Sequence, residues 1–290
     1  TGLGGLYDST NVVLPQLSII TGVDYDHQAY LGDSLEEIAL NKAGIIKAGV
    51  PVVVGDMDIR AGRVIEDKAS QEQAMLYHAS ACQVERSASS FRHGQVLDIK
   101  CGGIHMEGIN FSLLGDFQLQ NLAVAIMALV VLKQQGYSIT GENIARVLTS
   151  LKHPGRMELI RSNPPIILDV AHNPQAARAL ARSLDNLFPI RQRVMVCGIL
   201  DDKNSRVILR ELGKNCRVCV VTRPESERAV KWQQVAEEWK LLYPEKELRV
   251  VENIEEAVDA GLDLLKAGEY LLLAGSFYIL NRARPYLMSI

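Results

Sequence analysis

Two stretches of this chain hold residues whose types and spacing could do chemistry. In the first, Asp26 and His27 set a carboxylate beside an imidazole, and a glycine-marked turn follows at Gly32. A neutral imidazole can ligate a divalent cation or move a proton. The helix expected next carries Leu35, Ile38, Ala39, Ile45 and Ile46 at helical spacing, which predicts an inward-facing stripe. Lys42 falls on that stripe, four residues after Ile38 and three before Ile45. A buried lysine must be paired or modified. The ordinary alternative is that its amine snorkels to solvent along its own stem.

The second stretch is a series of polar clusters, each at the end of an apolar run. Asp169 stands with His172 and Asn173, then Asp201 with Asp202 and Lys203, then Gly275 with Ser276. Open α/β sheets bind their ligands at the carboxyl ends of strands, so a crevice on that edge is the default expectation. Asn121 sits near the start of a strongly apolar helix and reads equally as a local cap.

The elements that must position these residues follow from periodicity. Residues 15–21 read as a buried strand, and Asp26-His27 lie just past its end. Ser34 and Glu37 form a capping-box pattern that opens the Lys42 helix. Residues 51–54 read as a further short strand. From 74 to 114 the pattern alternates and is broken by glycines, which predicts a small antiparallel set of strands. His78, His93 and His105 fall there without ligand spacing. Helices are expected at 117–135, apolar nearly all round and so buried, and at 140–151. His153-Pro154-Gly155 then marks the domain boundary. Beyond it, strands at 166–169, 194–198, 218–222, 248–251 and 270–274 alternate with helices at 174–187, 204–214, 231–242, 254–266 and 277–288. That alternation predicts a doubly wound, mostly parallel sheet covered on both faces.

Composition narrows the classes. With 290 residues, two domains are expected. Hydrophobic content of 48% with 22% charged residues is that of an ordinary globular protein. A net charge of −3 and no basic stripe give no reason to expect nucleic acid. The longest apolar run, 122–132, is too short to cross a bilayer, so no membrane partner is expected. Five scattered cysteines argue against a disulfide framework and for a reducing compartment. Cys216 and Cys219 lie in a strand pattern, where residues three apart should point to opposite faces; both read as small core residues. The chain starts at Thr1 with no signal peptide pattern and reads as a piece whose beginning lies elsewhere.

Six segments, GLGGLYDSTN, VDYDHQAYLG, LNKAGIIKAG, HPGRME, LDVAHNPQA and AGSFYIL, occur in this order. Together they resemble the folylpolyglutamate synthase group of the Mur ligase superfamily, over the whole chain. The resemblance implies an α/β fold. Residues 1–154 would be the C-terminal part of a P-loop-type ATPase (Mur ligase middle) domain, and 155–290 a Rossmann-like glutamate-ligase domain. It implies a cytoplasmic, monomeric, ATP-dependent ligase. Such an enzyme activates the γ-carboxylate of a folate as an acyl phosphate, which the amine of L-glutamate attacks. Mg2+ would spread the developing charge, with K+ as a further candidate cation.

Carried over residue by residue, His27 matches the family's metal-binding histidine. Lys42 matches the lysine carboxylated on its amine, whose carbamate helps position a second ion. Desolvation lowers a lysine pKa, so its free amine can react with carbon dioxide. Asn121, Arg156 and Asp169 match ATP contacts to the base, the phosphates and the ribose hydroxyls. His172 and Ser276 match positions near the incoming glutamate, and His172 is also a catalytic candidate.

The chain departs from the family pattern in four places. The phosphate loop ending in lysine and serine or threonine does not occur in these residues, so this chain alone is expected to use ATP poorly. A metal-binding glutamate would fall before Thr1. Leu6 replaces an arginine after GLGG, and Asn41 replaces the usual glutamate before the carboxylated lysine. Three readings stay open: this ligase with or without dihydrofolate synthase activity, another Mur-type amino-acid ligase, and a non-catalytic binding module.

Overall fold

The computed structural model describes residues 1, 4–25, 28–90, 92–189 and 191–290, with the backbone alone at 28 and 29. The chain divides into two compact units. The first comprises Thr1–Ala88, Val96–Asn110 and Gln118–Ser150; the second comprises Ser89–Gln95, Phe111–Phe117 and Leu151–Ile290.

The first unit begins with β1 (Ser18–Ile20), α1 (Gln28–Leu31), α2 (Leu35–Ala43), β2 (Val52–Val54), α3 (Ile59–Gln71) and β3 (Leu76–His78). The three strands form a parallel sheet in the order β1-β2-β3, with Ile20 opposite Val54 and Val54 opposite His78. Leu35, Ile38, Ala39 and Ala43 of α2 pack with Ala61, Ile65 and Ala69 of α3 in one apolar cluster. The 15–21 run shortens to three strand residues, and Ile19 on its other face is exposed. The segment around Leu76 joins this parallel sheet rather than the antiparallel set. The reason is α3, which supplies the long crossover a parallel pair requires.

Next come β4 (Gln83–Ser90), β5 (Gly94–Cys101) and β6 (Ile104–Phe111), a separate sheet in chain order. Their links are far too short for parallel crossovers, so the strands run antiparallel. Cys82 and Cys101 form a disulfide here, contrary to the expectation from cysteine count. Pairing of β4 with β5 brings their Cα atoms to 4.5 Å, the spacing of directly opposed antiparallel residues. Helices α4 (Phe117–Gln134) and α5 (Gly141–Ser150) follow. Among the described residues α4 alone is long and apolar enough to cross a membrane by length and composition. Here it is a core helix, burying Leu122, Val124, Ile126, Val130 and Val131.

The second unit opens with the hairpin β7 (Glu158–Ser162) and β8 (Pro165–Asp169). It continues through α6 (Pro174–Leu187), β9 (Arg193–Cys197), α7 (Ser205–Gly213), β10 (Cys216–Val221), α8 (Gln234–Leu242), β11 (Glu247–Val250), α9 (Ile254–Asp263), β12 (Tyr270–Ala274) and α10 (Phe277–Ser289). The sheet order is β11-β10-β9-β12-β8-β7, parallel except for the β7/β8 pair. Leu180, Leu184, Ile208, Leu209 and Trp239 cover one face. Ile254, Val258, Ile279, Leu280 and Leu287 cover the other. This is the expected Rossmann-like architecture, with an antiparallel edge strand, β7, that its half-polar sequence did not announce.

Cys216 and Cys219 face the same core, not opposite ones. A register shift between Cys216 and Val218 breaks the alternation, and Arg217 at the shift turns out to Glu269. At the amino ends of the strands Arg193 is fully buried. It donates to the Leu212 carbonyl and, at 3.0 Å, to the Tyr270 hydroxyl.

Candidate active site

In the first unit Lys42 stands at the end of α2, which a turn and a loop hold in place. The capping box is present: Glu37 N–H donates to Ser34 Oγ at 3.2 Å, and the amides of Asp33 and Ser34 donate to Glu37 Oε2. Gly32 has φ +120°, and an added Cβ would lie 2.4 Å from the Glu37 Cβ, so the turn requires glycine. Gly5 and Leu6 lie on the last turn of α2, where Leu6 N–H donates to the Asn41 carbonyl at 2.8 Å. A Cβ on Gly5 would sit 2.8 Å and 2.9 Å from the Asn41 and Lys42 carbonyl oxygens. Asn11 clamps the loop by donating to the Leu6 and Gly44 carbonyls, each at 3.1 Å. Asn41 donates to the Leu31 carbonyl at 3.0 Å and so braces α1 against α2. The family's glutamate is thus replaced by a residue with a structural task.

Lys42 lies on the α2 face that buries Leu35, Ile38, Ala39 and Ala43, but on the last turn, where it is half-buried rather than buried. The helix stops at Ala43 under the Gly44 cap, so the stripe closes on Ala43 while Ile45 and Ile46 lie beyond the helix. Among the described residues the Lys42 amine makes no hydrogen bond or ion pair. His27 and its neighbour Asp26 lie outside the described residues. Among the described residues no group of three or more His, Cys, Asp or Glu could hold a metal ion. They therefore fit a metal centre only in part, through the unpartnered Lys42 amine. Asn121 is exposed on α4 and donates to Gln118 Oε1 at 3.2 Å. A cleft of about 340 Å³ opens at the carboxyl ends of β2 and β3, lined by Asp56, Asp58, Arg63, Glu66 and His78, and none of the carried-over residues lines it.

In the second unit the sheet topology assembles the rest. Strands β8 and β12 are neighbours, and Asp169 pairs with Ala274. The helix after β8 packs on one face of the sheet and the helix after β12 on the other. Such a switch point leaves a crevice at the strand ends. His172 and Ser276 stand in the loops on either side of it. His172 is half-buried, with Nδ1 3.0 Å from the Val170 carbonyl. Asn173 caps α6, accepting from Ala176 N–H. Ser276 is buried and caps α10, accepting from Ile279 N–H at 3.4 Å. Gly275 has φ +119°, and a Cβ there would meet the Gly198 carbonyl at 2.7 Å, so the backbones touch at the crevice floor. Asp201 and Asp202 are committed elsewhere: Asp201 accepts from Val230 and Lys231 amides, and Asp202 pairs with Arg228.

The Arg156 turn is tied to the end of β8. Val170 N–H donates to the Gly155 carbonyl at 2.8 Å. Asp169 accepts Met157 N–H through Oδ2 and Ala171 N–H through Oδ1, each at 2.8 Å. Burial pushes the Asp169 carboxyl up to about 6, against the pull of those two amides and of the Arg156 charge. Glu158 accepts Gly155 N–H at 2.9 Å and is held by Arg284 of α10. Burial would raise the Glu158 carboxyl, but Arg284 and the Gly155 amide outweigh it and keep it below its ordinary value. Arg156 itself is half-buried, and among the described residues its guanidinium makes no hydrogen bond or ion pair. Sequence reasoning passed over Glu158, Arg284 and the left-handed Met157. The only signal was the glutamate that closes HPGRME.

The chain is similar to known proteins over most of its length. The Mur ligase middle domain matches residues 2–129, and the Mur ligase glutamate ligase domain matches 155–277. The dihydrofolate synthase/folylpolyglutamate synthase of Bacillus subtilis is 35% identical over 213 residues, 73% of this chain and 50% of the relative. The folylpolyglutamate synthase of Lacticaseibacillus casei is 32% identical over 291 residues, 99% of this chain and 65% of the relative. The chain thus spans half to two-thirds of the length of these curated relatives. Among solved structures, Mycobacterium tuberculosis folylpolyglutamate synthase complexed with ADP and AMPPCP superimposes with a TM-score of 0.88 at 28% identity. It covers 99% of this chain and 67% of its own. The Yersinia pestis bifunctional enzyme complexed with AMPPNP and Mn ion gives 0.80 at 29% identity, covering 99% and 64%. The chain belongs to the Mur ligase family, where its matches lie with the folylpolyglutamate and dihydrofolate synthases.

Proposed function

We propose that this chain forms the greater part of an ATP-dependent ligase that adds L-glutamate to the γ-carboxylate of a folate through an acyl phosphate. The observation that carries this reading is the Asp169–Ala274 pairing, which brings the LDVAHNP and AGS segments to adjacent strand ends with the Arg156 turn fixed to the first. The nucleotide complexes of the Mycobacterium tuberculosis and Yersinia pestis relatives support it.

In this reading Arg156 takes the nucleotide phosphates, Asp169 the ribose and Asn121 the base. Asp169 also holds the Met157 amide, so one carboxylate serves both substrate and scaffold. His172 and Ser276 bind the incoming glutamate, and His172 serves as the base that takes a proton from its amine. His27 and Lys42, the latter as its carbamate, are the ligands for Mg2+, with K+ as an accessory cation. A bound divalent ion would spread charge on the transferred phosphoryl group. The enzyme works as a monomer in the cytoplasm, without a nucleic-acid or membrane partner. In a reducing cytoplasm the Cys82–Cys101 pair would be open, so a thiol titration of the protein from cell extract should count it as free.

The test is incorporation of labelled glutamate by the complete protein, with ATP and either dihydropteroate or tetrahydrofolate. ATP-dependent incorporation into either acceptor is expected. Folded protein that incorporates another amino acid instead would point to a different Mur-type ligase. No incorporation and no ADP release would leave a binding module.

A further inference from the structure

The turn that presents Arg156 is left-handed on both sides, freely at its glycine and at a conformational cost at Met157. Gly155 has φ +70° and Met157 has φ +44°, a left-handed conformation that non-glycine residues seldom hold unaided. Two carboxylates hold it, one per flank. Asp169 takes the Met157 amide, and Glu158 takes the Gly155 amide. Asp169 is anchored by its strand. Glu158 is anchored by Arg284, whose Nε lies 3.0 Å and 2.9 Å from its two oxygens and whose Nη2 lies 2.8 Å from Oε1. A bidentate guanidinium fixes a carboxylate in direction as well as distance. Arg284 sits on α10, the helix that Ser276 caps at its other end.

We infer that Arg284 is a positioning residue for nucleotide use: through Glu158 and the Gly155 amide it holds the turn that aims Arg156. This rests on the reading of Arg156 as a phosphate contact. Neither Arg284 nor Glu158 needs to touch substrate. Without Arg284, Glu158 is released to solvent, Gly155 N–H loses its oriented acceptor, and the turn relaxes toward ordinary φ values. Arg156 then samples positions an ångström or more away. Displacements of that size cost catalysis on the order of 10- to 100-fold.

The experiment is a double-mutant cycle in the complete protein, with Arg156→Ala, Arg284→Ala and both together, read as KM for ATP, KM for glutamate, kcat and melting temperature. Arg284→Ala should raise the KM for ATP on the order of 10-fold, with the KM for glutamate little changed. In the Arg156→Ala background, Arg284→Ala should have no further effect on ATP. A role limited to anchoring α10 would give equal effects in both backgrounds, and that result overturns the proposal. If Arg156→Ala itself leaves ATP use unchanged, the reading of Arg156 falls instead. Should Arg284→Ala fail to fold, Glu158→Gln and Arg284→Lys serve. Arg284→Lys keeps a cation but loses the two-pronged grip, and Glu158→Gln keeps an acceptor for Gly155 N–H but loses the ionic contact. Each should therefore raise the KM for ATP in the otherwise normal protein, and neither should in the Arg156→Ala background; equal effects in both backgrounds overturn the proposal. Added guanidinium ion should lower the KM for ATP of Arg284→Ala toward normal; no such recovery in a folded variant counts against the proposal.

Discussion

The Asp169 carboxylate accepts the Met157 amide at 2.8 Å and so holds a non-glycine residue at φ +44°. The same carboxylate closes β8 beside Ala274. One buried acid therefore joins the Arg156 turn to the switch point of the sheet, and its ionisation should be visible in both activity and stability.

The activity effect has a definite sign. Ionised Asp169 is the better acceptor for Met157 N–H, and with burial lifting it to about 6, protonation sets in near that pH. The ATP kcat/KM should fall as pH drops through about 6, and Asp169→Asn should remove that limb while lowering the plateau. A pH profile in which the limb survives in Asp169→Asn assigns it to another group.

The stability effect runs the other way. The folded pKa lies above the ordinary 3.8, so between 3.8 and about 6 the native state holds a proton the unfolded chain lacks. The contribution is full below 3.8 and lost as pH rises through about 6; the shift corresponds to about 3 kcal/mol. Urea midpoints of wild type against Asp169→Asn, measured from pH 4 to 7, should converge at the acid end less the constant cost of the substitution.

Lys42→Ala should abolish ligation, by at least on the order of 100-fold, the scale of losing one charged stabilising group. Acetate should restore part of the activity if the carbamate anion is what is missing. Normal activity in the alanine variant would end the carbamate reading.

Gly5→Ala places a methyl within 2.9 Å of the Asn41 and Lys42 carbonyls, which are backbone and cannot swing away. Overpacking of this kind costs about 1–3 kcal/mol. Denaturant unfolding should show that loss, and the displaced end of α2 should lower ligation beyond what stability alone predicts.

Tyr270→Phe should separate stability from function. It strips the hydroxyl from fully buried Arg193, whose Nη2 already has no hydrogen-bond partner among the described residues. Leaving a second buried donor unmatched costs about 1–3 kcal/mol. Both residues stand at the amino ends of their strands, so the KM for ATP should not move at temperatures where the variant is folded.

Much of the fold was legible because parallel strands buried on both faces read as unbroken apolar runs, and those of the second unit appear almost where periodicity puts them. The capping box at Ser34 and Glu37 was equally local and equally legible. Errors came where one residue of displacement reverses an outcome. The slip near Arg217 turns Cys216 to the same side as Cys219, and the stop of α2 at Ala43 leaves Lys42 half-buried on the last turn of the stripe.

The sequence by itself determined the alternation of strands and helices, the polar residues at strand ends and the order of the family's motifs. These are short-range patterns set by backbone geometry and burial. Only the tertiary structure decided that Asp169 lies beside Ala274, that Met157 is held in a left-handed turn, and that Arg284 grips Glu158 from 126 positions away. Those facts depend on which strands become neighbours and on where a buried charge finds its partner. No local stretch of sequence carries that information.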